Sequence, residues 1–532
     1  MPARRAPRRR VSATSSKPPA TSPFDDFARG VRSAGVLMHV TSLPSAHGIG
    51  DLGPAAFEWV DLLAEHRVRW WQMLPLGPTG YGESPYQPTS SFAGNPMLIS
   101  PEALVAEKLL DQRDLAAPKA AASGRVDYSA VAPMRRRLLT RAWERFRDVR
   151  VRPLRAAFAR FHDEHGRAWL DDFCLFAALK RQHAGQAYWD WPEPLRRRAK
   201  AALAAARREL AGEVDQVAFE QFLVFRQCQA LHAHAAERGV GIIGDVPIFV
   251  SPDSADVWSR PELFQLDRDG RPSVVAGVPP DLFSADGQRW GNPHYAWREH
   301  ERTEFRWWTD RVRHSLTQVD LLRVDHFRGF AAAWEVQASS PNARKGRWVP
   351  APGHALLAAL VKALDVPPGQ PLPLIAEDLG LITPDVLELR DAFRLPGMKI
   401  LQFAWSGGAS SPDLPHHHTA NAVAYTGTHD NDTTLGWYRA AKAVERRHVW
   451  AYVDKPAGSD RAAVEELTRL AMASPAKLAV VPVQDLLGLG SEARMNTPGT
   501  TGGTNWQWHL GSFAAVRASL KRLKRQAMLY GR

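Results

Sequence analysis

The sequence has few cysteines, no long apolar run and no acidic residue in its first segment. Only two of its 532 residues, Cys174 and Cys228, are cysteines. That number argues against a disulfide framework and favours a reducing compartment, so we expect a cytoplasmic protein. No apolar run approaches the roughly 18 residues that span a bilayer, and we therefore expect no membrane association.

The charge is unevenly distributed. The net charge is +12, and half of it lies in the first 24 residues, which carry six Arg and Lys side chains and no acid. Their Pro-, Ser-, Thr- and Ala-rich composition cannot form a core, so we interpret residues 1–28 as a basic disordered tail. A transit peptide is a second interpretation, although four prolines interrupt an amphipathic helix there. The rest of the chain carries only a modest charge, and we expect no nucleic-acid partner.

Short apolar runs alternate with helical stretches from residue 35 onward, which predicts βα units and a parallel sheet. Eight candidate strands can be counted, the number that a closed (β/α)8 barrel requires. They are residues 35–40, 70–76, 241–246, 319–325, 372–377, 398–404, 421–426 and 478–483. The sequence therefore predicts an α/β fold, a TIM barrel over residues 29–532.

Two connections of this barrel are unusually long. Residues 101–240, between strands two and three, have apolar residues at helical spacing and predict a helical insertion. The Arg clusters at 135–137 and 196–198 are interpreted as solvated helix faces. Residues 250–300, between strands three and four, are rich in Pro, Gly, Asp and Trp and predict a loop or lid above the barrel mouth.

Three acidic residues close or follow predicted strands. Asp325 ends the run at 319–325, Glu377 ends the run at 372–377, and Asp430 follows the run at 421–426. Side chains at the carboxyl ends of parallel barrel strands converge on one mouth, where such barrels do chemistry. Three acids there suggest a nucleophile, a proton donor and a charge stabiliser, the set used in retaining glycoside chemistry.

Each acid also has a structural interpretation. Arg323 and Asp325 share a strand face, which would keep a nucleophilic carboxylate ionised, but a structural ion pair gives the same pattern. Glu377 stands among apolar residues beside Asp378, which favours a raised pKa and a proton donor, but it could also cap a helix. Asp430 fits an Asp/Asn turn on local sequence alone.

Another strand-end acid and several aromatic residues complete the candidate set. Asp245 follows an apolar run, where it could orient hydroxyl groups or cap a turn, and Tyr86 lies in a loop after a predicted strand. Flat rings commonly pack against the apolar faces of pyranoses. Seven tryptophans lie outside core-like runs: Trp258, Trp290, Trp297, Trp334, Trp348, Trp506 and Trp508.

Two other kinds of site fit poorly. Residues 48–53 match G-x-G-x-x-G, but the next strand lacks the acid that would bind a ribose about 20 residues on. The consecutive His416, His417 and His418 do not share a face, and no H-E-x-x-H spacing occurs. We therefore expect no nucleotide cofactor and no metal.

Long motifs follow one another along the chain. They are Ser-Pro-Tyr-Gln-Pro (84–88), Gly-Asp-Val-Pro-Ile-Phe-Val (244–250), Gly-Val-Pro-Pro-Asp-Leu-Phe-Ser-Ala-Asp-Gly-Gln-Arg-Trp-Gly-Asn-Pro (277–293), Arg-Val-Asp-His-Phe-Arg-Gly-Phe (323–330), Ala-Glu-Asp-Leu-Gly (376–380) and Thr-Gly-Thr-His-Asp-Asn-Asp (426–432). Over about residues 35–510 the chain resembles the amylomaltases, the 4-α-glucanotransferases of glycoside hydrolase family seventy-seven.

The resemblance implies a (β/α)8 barrel that needs no cofactor and transfers α-1,4-glucan segments. The donor would be a maltooligosaccharide or starch chain, and the acceptor the 4-hydroxyl of another glucan or of glucose. Asp325 would be the nucleophile, Glu377 the general acid/base and Asp430 the transition-state stabiliser. The resemblance also implies sugar-binding roles for Tyr86, Asp245, Arg323 and His429, and a loop over the cleft with Asp281, Phe283, Gln288, Trp290 and Asn292.

Three alternatives stay open on the sequence. An α-glucan hydrolase would use the same three acids. A non-catalytic glucan-binding scaffold would keep the aromatic residues but has no reason to hold all three acids. A third possibility is that the basic tail binds nucleic acid or a membrane surface.

Overall fold

The computed structural model describes residues 22–115, 124–148, 152–280 and 284–532. The strands of these residues are β1 (Ser33–Leu37), β2 (Trp70–Gln72), β3 (Gly241–Pro247), β4 (Val274–Val278), β5 (Gln288–Pro293), β6 (Leu321–Asp325), β7 (Ala332–Gln337), β8 (Arg347–Pro350), β9 (Leu374–Ala376), β10 (Gly397–Ile400), β11 (Ala422–Tyr425) and β12 (Leu478–Pro482).

The helices of the same residues connect and surround these strands. They are α1 (Pro23–Ala28), α2 (Pro54–Glu65), α3 (Pro101–Ala106), α4 (Tyr128–Asp148), α5 (Arg152–His165), α6 (Asp171–Gln182), α7 (Glu193–Arg196), α8 (Lys200–Glu209), α9 (Ala211–Glu237), α10 (Ala255–Ser259), α11 (Trp297–Arg302), α12 (Arg306–Ser315), α13 (Gly353–Ala363), α14 (Pro384–Ala392), α15 (Thr434–Ala440), α16 (Ala443–Tyr452), α17 (Asp460–Ala473), α18 (Val483–Leu487) and α19 (Ala514–Leu529).

Eight parallel strands form the barrel. Their order in the sheet is β10-β11-β12-β1-β2-β3-β6-β9. The two end strands meet where the N–H of Ala376 donates to the carbonyl of Pro396 at 2.9 Å. Each strand predicted from the apolar runs lies in this sheet, with ends shifted by a few residues, so the predicted barrel is confirmed. The acids at the carboxyl ends of β6, β9 and β11 therefore lie at one mouth.

The opposite end of the barrel is covered by α1. Its Phe27 is buried, and the ring packs edge-on against Trp70 of β2 with centroids 5.7 Å apart. The Nζ atom of Lys477 lies 4.0 Å from the centroid of the same ring. Residues 23–28 are thus part of the folded barrel, and the predicted end of the tail at residue 28 is wrong. The rest of the predicted tail, residues 1–21, lies outside the described residues.

The long connection between β2 and β3 contains helices α3 to α9, of which α9 is the longest at 27 residues. The Arg cluster at 135–137 was expected on a solvated helix face. Arg135 is instead buried, and its guanidinium pairs with Asp51 at 2.7 Å. A buried arginine needs such a carboxylate partner, so this residue attaches α4 to the loop before α2.

A second sheet lies beside the barrel, with the antiparallel order β5-β4-β7-β8. The sequence predicted only a loop between residues 250 and 300. Strands β4 and β5 come from that segment, but β7 and β8 come from the next connection, after β6. Trp258 is also not a loop residue, because it is buried in α10 under the guanidinium of Arg198.

The described part of the chain contains no helix that combines the length and the apolar character needed to cross a membrane. Cys174 and Cys228 are free thiols, and both are buried.

Candidate active site

Four acidic residues project from the carboxyl ends of the barrel strands. Asp245 lies within β3, Asp325 is the last residue of β6, and Glu377 directly follows β9. Asp430 lies five residues after the end of β11. Parallel strands bring these positions to one edge of the sheet, as the apolar runs in the sequence predicted.

Arg323 joins two of these acids. Its Nη1 atom lies 2.9 and 2.8 Å from the two carboxylate oxygens of Asp245, and its Nη2 atom lies 2.9 Å from Oδ1 of Asp325. Arg323 and Asp245 are buried, whereas 28% of the Asp325 side chain is exposed. Burial raises the pKa of Asp245 to about 7, and Arg323 acts against that shift. The arginine therefore balances the charge of two carboxylates, of which Asp325 is the more exposed.

Glu377 has a different environment. The N–H of His326 donates to its Oε2 atom at 2.6 Å, and the N–H of Leu379 donates to Oε1 at 3.0 Å. Burial raises the pKa of Glu377 to about 8, Arg323 lowers it, and the negative charge of Asp325 raises it further. Glu377 thus keeps its proton to a higher pH than an ordinary glutamate does, as a proton donor requires.

The neighbouring acid that was expected to raise this pKa does not face Glu377. The carboxylate of Asp378 turns to Arg390 at 2.6 Å and accepts a hydrogen bond from the N–H of Met398 at 2.7 Å. The sequence predicted the direction of the pKa shift but named the wrong carboxylate, because the repulsive charge comes from Asp325 on the adjacent strand.

Asp430 lies beside a cluster of three aromatic side chains. The rings of Tyr86 and His429 stack with centroids 5.0 Å apart and planes 9° apart, and Trp506 contacts both rings. The Tyr86 hydroxyl donates to Oδ2 of Asp245 at 2.7 Å. Burial lowers the pKa of His429, which favours the neutral imidazole. These contacts join His429 to the Arg323 network through Tyr86, and Nε2 of His429 lies 3.4 Å from Oδ2 of Asp430.

Two residues of this site were missed from the sequence. The side-chain amide of Asn496 donates to Oδ1 of Asp430 at 2.7 Å, and Nη2 of Arg494 donates to its backbone carbonyl at 2.8 Å. Both residues lie in an irregular segment after α18, and Trp506 follows in the same segment. Their sequence signal is the run Arg-Met-Asn-Thr-Pro-Gly-Thr at 494–500, in which no residue is an acid at the end of a strand.

The second sheet carries the residues expected above the cleft. Gln288, Trp290 and Asn292 lie on β5, and the Trp290 ring packs edge-on against His326 with centroids 4.7 Å apart. The amide of Asn292 accepts a hydrogen bond from Gln87 at 3.2 Å and donates to the carbonyl of Val250 at 2.7 Å. Asp281 and Phe283 lie outside the described residues.

Among the described residues, no group of three or more His, Cys, Asp or Glu side chains is arranged to hold a metal ion. The consecutive histidines bind other protein groups. His416 contacts the hydroxyl of Tyr452, His417 contacts the carbonyl of Ala409, and His418 contacts Ser474.

Comparison with known proteins agrees with this geometry. A family model described as 4-alpha-glucanotransferase matches residues 38–513. The chain belongs to this family. A 4-alpha-glucanotransferase of Thermus thermophilus is 49% identical over 90% of this chain and 95% of its own length. A chloroplastic/amyloplastic 4-alpha-glucanotransferase of Arabidopsis thaliana is 41% identical over 94% of this chain and 86% of its own length.

Solved structures of the family show the same fold. Amylomaltase from Streptococcus agalactiae, in a complex with acarbose, matches with a TM-score of 0.89 and 37% identity, covering 94% of this chain and 99% of that chain. Amylomaltase from Corynebacterium glutamicum matches with a TM-score of 0.78 at 21% identity, covering 96% of this chain and 76% of that chain.

Proposed function

We propose that this chain is a retaining 4-α-glucanotransferase in which Asp325 is the nucleophile, Glu377 the general acid/base and Asp430 the stabiliser of the transition state. The observation that carries the proposal is the contrast between two neighbouring carboxyls. Asp325 pairs with a buried arginine, whereas burial raises the pKa of Glu377 to about 8. One group is thus prepared for attack and the other for proton donation.

The first half of the reaction cleaves the donor. Glu377 gives its proton to the glycosidic oxygen while the carboxylate of Asp325 attacks the anomeric carbon. The reducing-end fragment leaves, and a covalent glucosyl-enzyme remains. Asp430, which Asn496 and Arg494 hold in place, stabilises the positive charge that develops on the sugar ring.

In the second half of the reaction the enzyme accepts another glucan. Glu377, now ionised, takes the proton of a 4-hydroxyl as this oxygen attacks the anomeric carbon, and Asp325 is released. Transfer exceeds hydrolysis when the acceptor is well held and water is excluded. Trp290, Gln288 and Asn292 on the second sheet are the described residues above the cleft that suit this task. We assign Asp281 and Phe283 to the same surface from the sequence motif.

Sugar binding next to the cleaved bond falls to four residues: Tyr86, Asp245, Arg323 and His429. The buried Arg323–Asp245 pair fixes the Tyr86 hydroxyl, and the stacked Tyr86 and His429 rings form a rigid wall. The substrates would be α-1,4-glucans and maltooligosaccharides.

We also propose that the enzyme works in the cytoplasm, and its two free thiols are compatible with a reducing compartment.

Incubation with maltotriose tests the proposal. A transferase gives glucose together with a ladder of longer maltooligosaccharides, whereas an α-glucan hydrolase gives only shorter chains. Asp325→Ala should abolish the ladder while the protein keeps its circular dichroism spectrum. Full transfer by this variant, or shortening of the chains alone by the wild type, would overturn the proposal.

A further inference from the structure

His326, directly after the proposed nucleophile, has a backbone conformation that is rare for a residue with a side chain. Its φ and ψ are 54° and 48°, in the left-handed region. An L-residue is strained there because its Cβ atom approaches the following carbonyl oxygen. Such strain persists only where surrounding contacts fix it, and it concentrates at functional sites.

This conformation joins the turn after β6 to the segment after β9. The N–H of His326 donates to Oε2 of Glu377 at 2.6 Å, and the N–H of Phe327 donates to the backbone carbonyl of Glu377 at 3.1 Å. The guanidinium of Arg328 then binds the carbonyl of Leu381 and the hydroxyl of Thr383. The three residues that follow Asp325 therefore all contact the segment after β9, which contains Glu377.

The ring of His326 helps to hold the turn. It packs edge-on against Trp290, with the planes at 89°, and the carbonyl of His326 accepts a hydrogen bond from the N–H of Gly329 at 2.9 Å. Burial lowers the pKa of the imidazole to about 3, so the ring is neutral. Its contacts supply the surroundings that a strained backbone needs.

We infer that His326 is a positioning residue: its left-handed backbone directs an N–H group at Glu377 and so fixes the carboxyl of the general acid/base beside Asp325. This inference rests on the proposed function. The groups that face the Glu377 carboxyl are Arg323 and Asp325 of β6, together with the N–H groups of His326 and Leu379. Of these, only the His326 N–H belongs to a residue with a left-handed backbone.

Three variants distinguish the effect of the His326 backbone conformation from the effect of its ring. His326→Asn and His326→Gly remove the ring but accept the left-handed region, whereas the β-branched His326→Val opposes that region. We expect kcat of H326V to fall about 10- to 100-fold below that of H326N, because the carboxyl is displaced. If H326V does not fold, His326→Ala provides a milder form of the same comparison.

The pH profile of kcat/KM shows whether the lower rate of H326V comes from a change at the Glu377 carboxyl. The His326 N–H favours the ionised form of Glu377, so losing it raises the pKa of this group. The basic limb of H326V should therefore move to higher pH, while H326N and H326G keep the wild-type limb. A merely structural role for His326 would lower all rates without moving the limb.

A matched control has the same backbone strain elsewhere. Asp365 has φ 50° and lies exposed after α13, at the end of the barrel away from the mouth. Asp365→Val should lower stability and leave the pH profile unchanged. An unshifted basic limb in H326V overturns the inference, whereas full activity of Glu377→Gln would instead overturn the proposed function.

Discussion

At the scale of single residues, the proton of Glu377 sets the pH range of the reaction. Burial and the charge of Asp325 raise the pKa of this group to about 8. We expect kcat/KM to fall as the pH rises through about 8, because Glu377 then lacks the proton that the leaving oxygen needs. Glu377→Gln should lower kcat about 10²- to 10⁴-fold, the usual contribution of general acid–base catalysis. Initial rates of maltotriose disproportionation from pH 5 to 10 measure both effects.

The same variant has a second consequence, for stability. The folded-state pKa of about 8 exceeds the ordinary value of 4.5, so the folded protein binds more protons than the unfolded chain between these values. Its stability therefore decreases as the pH rises through this interval. Glu377→Gln should melt above the wild type at pH 9 and close to it at pH 4. The exposed Glu388 of α14 offers a control, since Glu388→Gln should change neither the rate nor the melting temperature. A variant that melts below the wild type at pH 9 would contradict the buried, protonated state of Glu377.

The residues of the site differ in how well the sequence predicts them. Asp325 and Glu377 end strands, so an apolar run followed by an acid was enough to place them at the mouth. Asn496 and Arg494 were not placed, because they lie in irregular backbone whose path depends on the hydrogen bond from the N–H of Asn496 to the carbonyl of His429. Such a contact joins segments far apart in the chain and leaves no local pattern.

At the scale of secondary-structure elements, the barrel strands were predictable and the second sheet was not. The barrel strands are mostly apolar because both of their faces are buried. Strand β4 is short and contains Gly277, and its partner β7 lies more than 50 residues further along the chain. Half of the β5 residues Gln288 to Pro293 are polar, and four of the six are at least partly exposed. Neither strand has the alternation that identifies a half-buried strand.

Pairing of β4 with β5 sets the position of the surface above the cleft. A Cβ atom on Gly277 would lie 2.2 Å from the carbonyl oxygen of Gln288, so Gly277→Ala must push β5 away. We expect KM for maltooligosaccharides to rise about tenfold or more, since misplacement of binding groups by about 1 Å is costly. The comparison is Gly212→Ala in α9, where a Cβ atom meets nothing within 4 Å and KM should stay constant. Equal KM values for the two variants would show that the second sheet does not position substrate.

At the scale of the whole molecule, the residues proposed for catalysis lie at one end of the barrel, and the opposite end contributes to stability. The acids, Arg323 and the stacked rings all lie at the carboxyl ends of the strands. The other end is filled by α1, whose Phe27 packs on Trp70 beneath Lys477. Conventional barrel architecture makes the same division between the two ends. Substitutions at the α1 end should therefore act on folding and leave the reaction unchanged.

Phe27→Ala tests this separation. Removal of a fully buried phenylalanine costs about 3–5 kcal/mol of stability, because the cavity does not collapse completely. Lys477 would also lose the ring that its ammonium group contacts at 4.0 Å. We expect urea unfolding at a lower concentration, with kcat and KM for maltotriose unchanged at a temperature where the variant is folded. Asp25→Ala, an exposed position on the same helix, should alter neither property. A loss of kcat in folded Phe27→Ala would mean that the two ends of the barrel are coupled, because the ring has no contact with the acids except through the strands.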